Sequence, residues 1–143
     1  MSFERKRFIV VSLGDTDSWG YDEQTLPMLL QIIDSSTPDF RVWTHIGVLA
    51  NYLTSTHALR VVEEVIAKAA RLRDSDPRFA TLGIGLAEGE LSAEFDGLGR
   101  LKTDRTSIRP LGEPLNEAVR CEREPEKYKE TLRTLRERLH GVV

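Results

Sequence analysis

Residues 78–91 read RFATLGIGLAEGEL. The apolar part of this run is short and bounded, which predicts a buried β-strand. Gly83 and Gly85 interrupt it. Glycine weakens a strand unless something must approach the backbone closely. The other buried strand is RFIVVSL, residues 7–13, continuous, rich in β-branched residues and ended by Gly14.

The flanking segments fill in the order. EQTLPMLLQIID places Leu26, Leu29, Leu30 and Ile33 at helical spacing, with Pro27 in the first turn and SSTPD as the stop. FRVWTHIGVLANYL reads as two short strands with a turn at Gly47. STHALRVVEEVIAKAARLRD is the clearest helix: a Ser or Thr caps it, and Ala58, Val62, Val65, Ile66, Ala69 and Leu72 form its stripe. After the glycine-bearing strand, residues 91–111 predict a hairpin or arm, and a helix follows over 115–123. On that helix Leu115, Ala118 and Val119 would face the core. The tail, residues 125–140, predicts a last helix with Pro125 at its start, acids early and arginines late. Its stripe of Tyr128, Leu132, Leu135 and Leu139 would dock on its own domain. The order β-α-β-β-α-β, then a hairpin, then helices, implies one α+β domain over residues 1–143, with helices on one face of a sheet.

Bulk properties exclude several classes. The net charge of −3 supplies no basic field for nucleic acid or lipid. The one cysteine, Cys121, rules out an internal disulfide and fits a reducing, cytoplasmic setting. No apolar run is long enough for a membrane span, and no signal-peptide pattern opens the chain. His45, His57 and His140 show no metal-ligand spacing. Gly83, Gly85 and Gly89 lack the dinucleotide-binding spacing, and GLGRLK lacks that of a phosphate loop.

GEPLNEAVR, residues 112–120, carries the chemistry. Asn116 and Arg120, four apart, lie one above the other on a helix. An amide can hold a hydroxyl and a planar guanidinium can hold phosphate. The alternative is an amphipathic helix whose Asn116 and Arg120 simply face water.

TLGIGLAEGEL followed by GEPLNEAVR resembles the class III adenylate/guanylate cyclase domain. There a strand of the type vGIGIaxGe precedes a hairpin and the motif G-(D/E)-x-(V/L)-N-x-A-x-R. Gly112, Asn116, Ala118 and Arg120 fall on that motif. THALRVVEEVIAKAARL resembles the helix preceding the strand, and FIVVSLGD resembles the first strand. The resemblance covers residues 7–123. It implies a ferredoxin-like βαββαβ core with a mostly antiparallel sheet. It also implies a nucleotide-binding role for Gly112, Asn116 and Arg120, with Asn116 orienting the ribose and Arg120 steadying a triphosphate across a subunit boundary. Asp15, with Asp17 as a near alternative, would fill the first metal place. The second metal aspartate is missing: Val48 stands there, and residues 41–52 contain no carboxylate. The base-reading lysine is missing too, with Thr44 or Val42 near its place. Valine cannot bind a hard cation.

Three functions follow as expectations. The first is a degenerate cyclase-like domain that binds a nucleotide or regulates, rather than catalysing efficiently as a homodimer. The second is an active or heterodimeric purine nucleotide cyclase, turning a nucleoside triphosphate into a cyclic nucleotide and pyrophosphate. The third is a ferredoxin-like interaction module. The implied partners are a second cyclase-like chain in a homodimer or heterodimer, a nucleoside triphosphate, and Mg²⁺ or Mn²⁺ if the nucleotide binds; nucleic acid and membrane are not implied. Serving a nucleotide would require Asn116 and Arg120 to point into a cleft, free of an internal salt bridge.

Overall fold

The computed structural model describes residues 2–17, 19–95, 98 and 112–139. Its strands are β1 (Ser2–Asp15), β2 (Phe40–Trp43), β3 (Gly47–Leu53) and β4 (Leu82–Phe95). Its helices are α1 (Leu26–Ser35), α2 (Thr56–Ser75), α3 (Glu113–Cys121) and α4 (Pro125–Leu139), with a single 3₁₀ turn at Pro77–Phe79. The strands form one sheet in the order β2-β3-β1-β4, antiparallel at every pairing. This is the α+β, ferredoxin-like βαββαβ arrangement.

Two strands outrun their apolar cores. β1 begins at Ser2 rather than Arg7, because β4 continues to Phe95 and pairs with it from Ser2 opposite Phe95 to Asp15 opposite Leu82. Residues 91–95, expected to open the hairpin, therefore belong to β4. Leu91, Ala93 and Phe95 keep the period-2 burial that holds them there. Residues 96, 97 and 99–111 of the expected arm lie outside the described residues, as does the chain beyond Leu139.

Strand alternation sorts the core into two layers. Ile9, Val11 and Leu13 of β1, Val48, Ala50 and Tyr52 of β3, and Leu82, Ile84 and Leu86 of β4 face α1, α2 and α4. Phe8, Val10, Ala87, Leu91, Ala93 and Phe95 face the other way, toward Ala118 of α3. Three helices thus share one face as expected, while among the described residues only α3 lies on the opposite one. Each fully buried Leu, Ile, Val or Phe contributes roughly 1.5–3 kcal/mol.

Local chemistry sets the helix ends. The Ser55 hydroxyl accepts the Ala58 N–H at 2.9 Å and caps α2. α4 buries Leu132 and Leu135. Near its C-terminus Arg138 reaches Glu88 of β4 at 3.0 Å, and Arg7 of β1 meets the same carboxylate at 2.5 Å. Burial pushes the Glu88 carboxyl upward, but the two guanidinium groups outweigh it and hold it below the usual range. No helix among the described residues is long and apolar enough to cross a membrane.

Candidate functional site

The glycines of β4 make room for α3. A Cβ on Gly85 would come within 1.8 Å of the Ala118 carbonyl oxygen. One on Gly83 would come within 2.8 Å of the Glu122 carbonyl, and one on Gly89 within 2.7 Å of the Pro114 ring. With Ala87, these residues lie on one side of the strand, forming a trough in which α3 rests directly on backbone.

That seat sets what α3 presents. Pro114, Ala118 and Cys121 are buried against the sheet. Leu115 packs at the margin of that layer. Val119, expected inside, is 45% exposed because the tight seat favours the small residues. Glu113, Asn116 and Arg120 face outward. Arg120 donates to Glu113 at 2.8 Å, and both side chains are 60% exposed. The free Arg120 that serving a nucleotide would require is therefore not what the structure holds; an exposed pair of this kind contributes about 0–1 kcal/mol, so phosphate could still displace Glu113. Gly112 occupies the N-cap of α3, where a Cβ would meet the Glu90 carbonyl and the Leu91 side chain at 2.7 Å. Its evident task is to let the helix start close to β4.

Asp15 ends β1 and is buried. Its Oδ1 accepts the Thr81 hydroxyl at 2.6 Å and the Asp17 N–H at 3.1 Å, and its Oδ2 accepts the Gly20 N–H at 2.8 Å. A carboxylate offers about four acceptor sites, so these three donors occupy most of them. Burial raises the Asp15 carboxyl, and its hydrogen bonds outweigh it, Thr81 first, keeping it below the usual range. Asp17 is exposed and contributes its backbone N–H.

Val48 pairs with Leu13 and is 2% exposed. Alternation turns Leu13, Asp15 and Val48 toward the same face of the sheet. A carboxylate at 48 would therefore stand beside Asp15; valine packs into the helix-covered core instead. Among the described residues no group of three or more His, Cys, Asp or Glu side chains is placed to hold a metal ion. One carboxylate, already held by three donors, and one valine do not fit a two-metal clamp.

Glu122 was not legible from the sequence. It follows α3 and its carboxylate accepts the Ser12 hydroxyl on β1. The carboxylate lies against Gly14, where a Cβ would be 2.7 Å from Oε1. Burial pushes the Glu122 carboxyl up and the Asp15 charge adds to that, against the pull of Ser12 and Arg123. The helix expected over 115–123 contains Glu122, but nothing in its spacing points to Ser12, 110 positions away.

Two clefts meet at Glu122. One, of about 240 Å³, is walled by Val42, Trp43, Ile46, Leu49 and Val119. Thr44 lines it too. The other, of about 560 Å³, is lined by Asp15, Ile46, Val119, Arg120 and Arg123. Asp15 and Arg120 thus share a cleft, while Asn116 stands outside its lining. Trp43 is 52% exposed beside these openings.

Neither a family model nor a curated protein sequence matches the chain. Solved structures do. The guanylyl cyclase Cya2 superposes with a TM-score of 0.55 at 18% identity, over 85% of this chain and 72% of that one. A bacterial light-regulated adenylyl cyclase gives 0.55 at 15% identity, over 94% of this chain but 46% of the other, so the present chain spans less than half its length. The catalytic core of a rhodopsin-guanylyl cyclase with converted specificity, in complex with ATPαS, gives 0.57 at 16% identity, over 96% and 85%. The chain has the fold of the class III adenylyl/guanylyl cyclase catalytic domain.

Proposed function

We propose that the protein is a degenerate class III cyclase-like domain that binds a nucleoside triphosphate, or regulates through pairing with a second such chain, without efficient turnover as a homodimer. What supports this reading is that Val48, which the resemblance sets at the second metal position, is a buried valine, and that the Asp15 carboxylate is already engaged by Thr81 and backbone N–H groups. On this reading Mg²⁺ or Mn²⁺ would arrive with the nucleotide's phosphates rather than on a built protein site. Arg120 would leave Glu113 for phosphate oxygens, Asn116 would donate to a hydroxyl, and Gly112 would seat the helix that carries them. The protein would act in the cytoplasm. Support for pairing comes from the exposed Trp43, Ile46 and Val119 around the cleft mouths.

A second reading rests on the outward position of Asn116 and Arg120. It makes the chain the Asn/Arg half of a heterodimeric purine cyclase whose partner supplies both aspartates. Calorimetry with ATP, GTP, CTP and UTP, with and without Mn²⁺, tests the nucleotide site. Arg120→Ala is expected to weaken triphosphate binding by about one to two decades, the cost of a charge-assisted hydrogen bond. No binding of any triphosphate at millimolar concentration would leave the interaction module as the surviving function. Strong Mn²⁺-dependent cyclic nucleotide formation by the purified chain alone would overturn the degenerate reading.

A further inference from the structure

We infer that the cleft between α2, the first turns of α4 and the start of β4 is a binding site for a small organic carboxylate with an apolar body. The cleft has a volume of about 380 Å³, within the range of small-molecule sites. Its floor is Ile66 and Ala70 of α2 with Leu82 and Ile84 of β4. Arg73, Tyr128 and Lys129 stand around it.

The cations here are weakly committed. Arg73 reaches the Leu82 carbonyl at 3.5 Å and the Asp74 carboxylate at 3.9 Å. Both are at the outer limit of useful contact. Lys129 meets Glu126 at 3.7 Å in an exposed pair. Tyr128 is half-buried and lines the same cleft, and its phenolic O–H can donate. Glu122 also borders the cleft, but it presents its main-chain carbonyl and Cβ beside Gly83 while its carboxylate turns to Ser12.

These features select one chemical class. A carboxylate gains charge-assisted hydrogen bonds from Arg73 and Lys129. An attached chain or ring covers the apolar floor and releases its water. A bare inorganic anion would leave that floor wet, and a neutral apolar molecule would leave both cations without a new partner. Asn116 and Arg120 do not line this cleft, so the inference stands apart from the nucleotide reading.

Titration of the full chain with hexanoate, hexanamide and inorganic phosphate tests it. Hexanoate should bind with a Kd below about 10 mM, and the amide and phosphate at least about tenfold more weakly. Arg73→Gln and Lys129→Gln should each weaken hexanoate by several-fold to about tenfold, with melting temperatures close to the parent's. Lys129 is exposed, so its variant decides the matter even where Arg73→Gln folds poorly. The inference is overturned if hexanoate gives no binding, if hexanamide or phosphate binds equally well, or if hexanoate affinity is unchanged in the folded variants.

Discussion

Asp15 and Glu122 are carboxylates near the same strand end, and their environments push them in opposite directions. Asp15 has a lowered folded pKa, so its contribution is present above the ordinary aspartate value and is lost as pH falls through the folded value. Glu122 has a raised folded pKa. Its contribution is complete below the ordinary value of 4.5 and is lost as pH rises through the folded value. Glu122→Gln keeps a partner for Ser12 and removes the half-buried charge. Urea midpoints measured between about pH 3 and pH 8 should place this variant above the parent at neutral pH, with the gap closing in acid. Asp15→Asn should do the reverse. Its amide N–H₂ is a donor facing donors where the carboxylate oxygen accepted, so a loss of about 1–3 kcal/mol at neutral pH is expected. An unchanged midpoint would mean that the 15–20 loop is not held by this carboxylate.

At the scale of elements, α3 depends on missing side chains more than on contacts of its own. It has nine residues, too few to persist alone in water. Its position comes from the trough of Gly83, Gly85, Ala87 and Gly89. Gly85→Ala sets a methyl group into the Ala118 carbonyl, and neither a strand backbone nor a helix backbone can yield locally. The expected result is displacement of α3 and a loss of about 1–3 kcal/mol or more, read by chemical denaturation. Arg120 rides on the same helix, so its cleft with Asp15 should be lost together with the stability. α4 is anchored differently. Leu135 is 2% exposed, and Leu135→Ala should cost about 2–5 kcal/mol while leaving the α3 trough intact.

For the molecule as a whole, the sheet face opposite α1, α2 and α4 carries only the short α3 among the described residues. Trp43, at 52% exposure, pairs with Val48 at the end of edge strand β2, and Val119, at 45%, lies on α3; both line the smaller cleft at the sheet's margin. Apolar side chains grouped this way mark a contact surface, and closed two-fold pairs are the commonest assembly. Sedimentation at micromolar concentration should give a dimer mass. Trp43→Lys should shift it to a monomer with unchanged circular dichroism, since Trp43 lies on a short edge strand outside the core. A monomer mass for the parent chain would remove the surface argument for pairing.

The order of strands and helices was readable from residue patterns because burial on one face imposes a period that the chain carries locally. RFIVVSL, the stripe of α2 and the glycine-broken run in β4 each show it without reference to a neighbour. The same holds for Val48, since an absent carboxylate is absent in any fold. What the local pattern could not carry was distance in space between residues far apart in sequence. The pairing of Ser2 with Phe95 lengthened two strands beyond their apolar cores. The approach of Ala118 to Gly85 turned Val119 outward. The contact of Glu122 with Ser12, 110 positions away, half-buried an acid that nothing in its own helix marks out. The engagement of Asp15 by Thr81, 66 positions on, was equally invisible. A side chain's charge, partners and exposure are set by whatever the tertiary structure brings against it, and sequence proximity does not encode that.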